Sequence, residues 1–227
     1  MTTLKSFHGD KKIKTKYINR LKAHAKADEI IKGRYWKDGK GCAVGCTIHG
    51  SEHNRYETEL GLPEWLARLE DVLFEGLPNS EAKEFPCAFL KAIPVGVSLD
   101  TVKHKFCAVL MRENIQRVHK LKMDEAVKAT VVTAASDVLR LHEQAGGGGL
   151  VTDAEWSAAW SAAWSAELAA ESAAWSAAES AELAAELAAR SAARSAELAA
   201  RSAARSAESA AYSRYAAELL RLLKEAR

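Results

Sequence analysis

Two cysteines and two histidines lie within twelve residues of each other in the segment GKGCAVGCTIHGSEH, residues 39–53. Cys42, Cys46, His49 and His53 follow the spacing C-x3-C-x2-H-x3-H. Zinc prefers four Cys or His ligands in a tetrahedron, and pairs spaced i,i+4 can chelate from one helix face. The four residues are therefore candidate metal ligands. Their spacing is not that of a zinc finger, and all four would come from one tight segment, so we expect no bound metal.

The same segment allows two other interpretations. In the first, which we favour, Cys42 and Cys46 are small buried residues in a close-packed turn permitted by neighbouring glycines, and the histidines lie near the surface. In the second, one cysteine is a nucleophile activated by a nearby histidine or by a helix N-terminus. The sequence offers no third group for such a site. It therefore assigns no catalytic residue and indicates no cofactor.

A resemblance adds context to this segment. The run GKGCAVGCTIHGSEH, with YETELGLPEWLARLEDVLFEGLPN after it, resembles a group of bacterial and phage proteins of unassigned function. In that group a similar N-terminal region precedes an Ala-rich tail, so the similarity would cover most of the chain. The resemblance implies a soluble bacterial or phage-borne protein, and it transfers no activity and no site residue.

The elements that would position this segment are short helices. Pro63 is well placed for the first turn of a helix with an apolar stripe. Asp100 and Asp124 can each cap a further helix. The β-branched run at residues 130–133 also suits a strand, but no alternating pattern bounded by hairpin turns is present. We predict an all-α fold in which residues 1–145 form a compact helical domain.

The composition changes after four consecutive glycines. All 13 glycines and all 4 prolines lie at or before Gly149. The glycine run predicts a linker over residues 146–150. Beyond it the chain consists mostly of Ala, Ser, Glu, Arg and Leu, in which Ala is the strongest helix former. Thr152 and Glu155 have the spacing of a capping box, so we predict one long helix over residues 151–227.

This predicted helix is built on a fifteen-residue repeat. The sequence SAELAA begins at Ser165, Ser180 and Ser195. Fifteen residues in four turns give about 3.75 residues per turn, and a period above 3.6 predicts a right-handed coiled coil. A lone helix cannot bury its own Trp and Leu side chains, so we predict a homo-oligomer through residues 151–227. The expected contact residues are Trp164, Leu168, Leu183, Leu187, Leu198 and Tyr215.

Charge along the tail predicts the direction of pairing. Residues Asp153 to Glu186 include seven acidic side chains and no basic one, whereas Leu187 to Arg227 include eight basic and four acidic ones. The helix macrodipole affects only the terminal turns. A gradient over the whole length therefore favours an antiparallel partner.

The other end of the chain is basic. Residues 1–40 carry twelve Lys or Arg against four Asp or Glu, which suits attraction to an acidic partner such as nucleic acid. The longest charge-free stretch of the tail, Trp156 to Ala166, is far shorter than the ~20 apolar residues of a membrane span. Four scattered cysteines fit no disulfide framework. These features predict a cytoplasmic protein without a membrane partner.

The leading functional hypothesis is a structural or assembly protein that self-associates through its C-terminal Ala-rich helix. One alternative is a nucleic-acid-associated factor that uses the basic N-terminal block. Another alternative is a metal- or thiol-dependent enzyme at Cys42–His53. Whether the protein is an enzyme stays open at this point.

Overall fold

The computed structural model describes residues 4–185 and 192–226. The described chain is predominantly helical, which confirms the predicted all-α class. Its α-helices are α1 (Lys11–Lys26), α2 (Ala43–Ile48), α3 (Glu64–Gly76), α4 (Asn79–Ala82), α5 (Phe85–Ala92), α6 (Asp100–His119), α7 (Glu125–Gly146), α8 (Asp153–Ala185) and α9 (Ala192–Lys224). A 3-10 turn spans Ser6–Gly9 and a π-helical turn spans Tyr56–Leu60.

A short β-ribbon was not predicted. Strands β1 (Trp36–Lys37) and β2 (Lys40–Gly41) pair antiparallel. Between them Asp38 and Gly39 both have positive φ, at 53° and 80°. Two positive φ values are the mark of a type I′ turn, for which Asp-Gly is a favoured pair. The signal was present in the sequence, but the strands flanking it are too short to show alternation.

Contacts divide the chain into two compact units. One comprises Met1–Val102 with Ala203–Arg227, and the other comprises Lys103–Ser202. Ala216, Leu219 and Leu223, near the end of the tail, are buried, and this part of the chain belongs to the same unit as the N-terminal region.

The first unit has a core built from α1, α2, α3 and α5. Helix α3 follows Pro63, as predicted, and buries Leu66 and Leu73. Its buried face also carries a carboxylate, Glu70, whose burial was not predicted. Val72, by contrast, remains exposed. The helix therefore turns its acidic Glu70 inward toward the segment that contains the candidate ligands.

The second unit contains a helical hairpin of α7 and α8. Asp124 caps α7 as predicted, because its carboxylate accepts from the backbone N–H groups of Ala126 and Val127 at 3.0 Å. Val138 and Leu141 of α7 pack with Ala159 of α8. The segment between the helices is a tight turn.

The glycines make this turn possible. Helix α7 extends to Gly146, and Gly148 has a φ of 84°. The Gln144 amide donates to the Leu150 carbonyl at 2.5 Å. At the start of α8 the predicted capping box is confirmed: the backbone N–H of Thr152 donates to the Glu155 carboxylate at 2.8 Å, and the N–H of Glu155 donates to the Thr152 hydroxyl at 3.2 Å.

Candidate functional sites

The fold of the Cys42–His53 segment depends on a close backbone approach. The carbonyl oxygen of Tyr35 lies against two glycines, and a Cβ atom at Gly41 or Gly45 would stand only 1.9 or 1.4 Å from it. No side chain fits at either position. This approach explains Gly41 and Gly45 of the GKGCAVGC motif and holds the residue before β1 against the start of α2.

Both thiols of the motif are buried and hydrogen-bonded to backbone. The Cys42 sulfur accepts from the N–H of Gly45 at 3.5 Å, and the Cys46 thiol donates to the Gly41 carbonyl at 3.3 Å. Burial raises the pKa of Cys46 to about 12 and raises that of Cys42 still further, with a contribution from the nearby Asp71. Because the thiolate is the nucleophile, these protonated thiols do not favour the thiol-enzyme alternative.

The two histidines of the motif point into different environments. The Nε2 atom of His53 lies 3.8 Å from the Asp71 carboxylate, and its ring meets Tyr35 edge-on. His49 instead stacks on Trp36 with ring centroids 4.4 Å apart. The structure therefore does not bring the four predicted ligands together.

No group of three or more His, Cys, Asp or Glu side chains within residues 4–185 and 192–226 is arranged to hold a metal ion. All four candidate ligands lie within the first of these ranges. A tetrahedral Cys2His2 centre is thus not formed by this segment.

A buried carboxylate network lies behind the motif. The Tyr56 hydroxyl donates to Glu70 Oε2 at 2.7 Å, while Glu70 Oε1 has no hydrogen-bond partner. Burial raises the pKa of Glu70 to about 8, and the neighbouring Asp71 adds to the shift. Glu70 is therefore mostly protonated at neutral pH. A carboxylate within the apolar stripe of α3 was the sequence signal for this network.

A cleft of about 360 Å³ opens beside Cys42. It is lined by Gly33, Arg34, Tyr35, Cys42, Asp71 and Glu75. Both oxygens of Glu75 accept from the N–H of Gly33, at 3.0 and 3.1 Å. The carboxylate thus anchors the loop that precedes β1, which is a structural use.

The predicted contact residues of the tail have unequal surroundings. Trp164 and Leu168 are exposed on α8, at 65% and 51%, and the adjacent Trp160 is exposed at 57%. Tyr215 is half-buried on α9, with the Arg214 guanidinium 5.9 Å from its ring centroid. The side chains of Leu183 and Leu198 and the whole of Leu187 lie outside the described part of the chain.

Part of the basic N-terminal block serves packing. The Lys14 ammonium donates to the carbonyls of Lys91 and Ile93 at 2.8 and 2.6 Å. Arg20 donates to the Thr47 carbonyl at 2.7 Å. These two charges hold α1 against its neighbours, which accounts for some of the local excess of positive charge.

Family models, curated proteins and solved structures provide no match to this chain. The described helices include none with the length and apolar character needed to cross a membrane. A functional assignment therefore depends on the residues and geometry of this chain.

Proposed function

We propose that the protein is an assembly component that self-associates through its tail, with α8 of one copy lying antiparallel to α9 of a second copy. One observation carries the proposal. Trp160, Trp164 and Leu168 are all more than half exposed and recur every four residues along α8. Residues spaced i,i+4 are neighbours on a helix surface, so the three side chains form one continuous apolar stripe.

Such a stripe favours a partner. Single exposed apolar residues are common, whereas contiguous exposed patches are typical of interaction surfaces. Burying a large apolar side chain contributes about 1.5–3 kcal/mol. Ala159 and Ala166 on another side of α8 are already buried within the chain. The stripe is therefore a separate face, free to receive a second copy.

Helix α9 offers a complementary face. Ala207, Ala210, Arg214, Ala217 and Arg221 are exposed and share one side of the helix. The opposite side carries the buried residues Ala216, Leu219 and Leu223. Small side chains allow an indole ring to approach the helix closely. An arginine can also lie over a tryptophan face, because the ring quadrupole attracts a cation.

Charge supports the antiparallel direction. The stripe lies in the acidic part of the tail, next to Glu167 and Glu171, and the alanine face lies in the basic part. An exposed ion pair is worth only about 0–1 kcal/mol, so charge selects the direction while apolar burial stabilises the contact. In the proposed register Trp164 lies near Arg214 and Leu168 near Ala210. The 3.75-residue period gives this pairing a right-handed twist.

Light scattering of the full chain tests the proposal. We expect an oligomer for the unmodified protein and a smaller species for the triple variant Trp160→Ser, Trp164→Ser, Leu168→Ser. The matched control is the double variant Val72→Ser, Leu121→Ser, because these side chains are similarly exposed, at 56% and 52%, but lie outside the stripe. An unchanged mass for the triple variant, or a monomeric unmodified protein, contradicts the proposal.

Substitution is a sharper test than truncation after Gly146. Removing the tail would strip Ala159 from the α7 contact and would remove Leu219 and Leu223 from the first unit. A smaller assembly formed by the truncated chain would then have a second explanation, the loss of these folded contacts. The triple variant changes side chains that are more than half exposed and leaves the buried residues of both compact units unchanged.

A further inference from the structure

His24 and His49 meet at the surface of the first unit. His24 belongs to α1, and His49 is the C-cap residue that directly follows α2. Their Nε2 atoms are 2.8 Å apart, and their rings are nearly perpendicular. The two nitrogens best suited to metal binding on these side chains therefore face each other across a gap of hydrogen-bond length.

A carboxylate fixes the proton on His24. Its Nδ1 atom lies 2.6 Å from Oε2 of Glu29. An ionised carboxylate only accepts hydrogen bonds, so Nδ1 carries the hydrogen. In the neutral ring this leaves the lone pair on Nε2, directed at His49. A carboxylate on the far nitrogen is also the usual outer partner of a metal-bound histidine.

The backbone and an indole ring hold His49 in place. Its φ and ψ are 52° and 52°, a left-handed conformation, and its N–H donates to the Gly45 carbonyl at 2.8 Å. Its ring stacks on Trp36 with an angle of 13° between the planes. The residue is nevertheless exposed. The ring is thus oriented by its surroundings, while the residue as a whole is exposed to solvent.

We propose that His24 and His49 bind a divalent transition-metal ion of the Zn²⁺ class, with solvent completing its coordination. Imidazole suits zinc, copper and nickel. Metal–nitrogen bonds of about 2.0–2.1 Å at tetrahedral angles place two such nitrogens about 3.3 Å apart. The rings need to open by only about half an ångström. The ion takes the place of the hydrogen on Nε2 of His49, which moves by exchange with solvent to Nδ1 of the same ring, so both ligands stay neutral. Only His49 is common to this pair and the four ligands suggested by sequence.

Charged side chains around the His24–His49 pair have opposing effects on a bound cation. The positive charges of Arg20 and Arg55 affect His49 and disfavour a bound cation. The negative charge of Glu59 favours a cation there, and Glu29 contacts His24 directly. Burial, then Arg20, lowers the pKa of His49 below its usual value.

A second histidine pair provides an internal control. In the second unit, Nδ1 of His104 lies 3.1 Å from Nδ1 of His142, and both rings pack against Trp156. Burial, then His104 and Lys103, lowers the pKa of His142 to about 4. Here the neighbouring charge is positive and would repel an ion. This pair tests whether proximity of two histidines is by itself sufficient for metal binding.

Calorimetric titration of the full, chelator-treated chain with Zn²⁺ tests the site. We expect one saturable equivalent, a loss of at least tenfold in affinity for His24→Gln and for His49→Asn, and unchanged binding for His142→Gln. Asn is chosen at position 49 because it tolerates the left-handed conformation. Glu29→Gln should weaken binding about tenfold, as is typical of an outer partner. Absence of saturable binding, or full affinity in both ligand variants, overturns the proposal.

A measurement on the unmodified protein guards against variants that fail to fold. In NMR spectra, one equivalent of Zn²⁺ should shift the ring resonances of His24 and His49 and leave those of His104 and His142 unchanged. Shifts confined to other histidines overturn the proposal. Neither measurement depends on self-association, so its outcome is separate from that of the assembly experiment.

Discussion

The ring of Tyr212 lies against the backbone of Gly76. A Cβ atom at Gly76 would lie 2.3 Å from Cγ of Tyr212 and 2.4 Å from both Cδ atoms, so it would press into the face of the ring. Gly76 is the last residue of α3, and Tyr212 belongs to α9. The absence of one side chain thus allows the end of the tail to pack on the N-terminal region.

We expect Gly76→Ala to lower the free energy of unfolding by about 1–3 kcal/mol, as overpacking usually does. Denaturant unfolding measures this directly. Alanine is otherwise the better residue within a helix, by roughly 0.5–1 kcal/mol. In a Tyr212→Ala background the same substitution should therefore be neutral or stabilising. An equal cost in both backgrounds would show that the ring is not the cause.

Glu70 should make stability depend on pH. Its pKa is about 8 in the folded protein and about 4.3 in an unfolded chain. The folded state therefore binds the proton more tightly between these values. The stabilisation is fully present below the unfolded pKa and is lost as pH rises through the folded pKa.

We expect Glu70→Gln to remove a decline on the order of 1 kcal/mol per pH unit between about pH 5 and 8. Unfolding curves at several pH values provide the measurement. Glu81→Gln, which changes an exposed carboxylate, serves as the control and should keep the slope of the unmodified protein. Identical slopes for the Glu70 variant and the unmodified protein contradict the assignment.

Local signals in the sequence predicted the helices well. The Asp124 cap and the Thr152–Glu155 capping box both form as expected, because each depends on residues within one turn. The inward turn of Glu70 was not predicted. The hydrogen-bond partner of its side chain, Tyr56, lies fourteen residues away in sequence, and no local pattern encodes such a partner.

The same contrast holds for the candidate site. The motif indicated that Cys42 and Cys46 are buried, and they are. It gave no sign that His49 would pair with His24, since that contact depends on how α1 packs against α2. Sequence spacing therefore proposed a ligand set within one segment, whereas the close histidine pair combines two elements.

The turn between α7 and α8 should tolerate only some substitutions. Gly148 has a φ of 84°, whereas Gly147 has a φ of −82°. We expect Gly148→Ala to destabilise the protein by about 1–2 kcal/mol, the cost of a left-handed backbone for a residue with a Cβ. Gly147→Ala should be nearly neutral, because its nearest contacts would be at 3.5 Å. Thermal unfolding of the two variants compares them, and equal effects would mean that the turn is not held in this conformation.

The direction of pairing between tails can be measured by crosslinking. In the proposed register, Ser161 on α8 of one copy lies near Ala217 on α9 of another, and both positions are exposed. Cysteines at these positions leave the stripe of Trp160, Trp164 and Leu168 unchanged. Only the two partly exposed native cysteines, Cys87 and Cys107, need replacement by alanine, because Cys42 and Cys46 are buried.

We expect a mixture of Ser161→Cys chains and Ala217→Cys chains to form a disulfide-linked heterodimer under mild oxidation, since antiparallel helices bring these positions together. Each variant alone should crosslink poorly. In an antiparallel pair the cysteine at one of these positions faces the native residue at the other, and that residue has no thiol. Mass spectrometry of the linked peptides identifies the pair. Efficient crosslinking of Ser161→Cys to itself, without the mixed product, would mean that two α8 helices pair with each other and that the charge gradient does not set the direction.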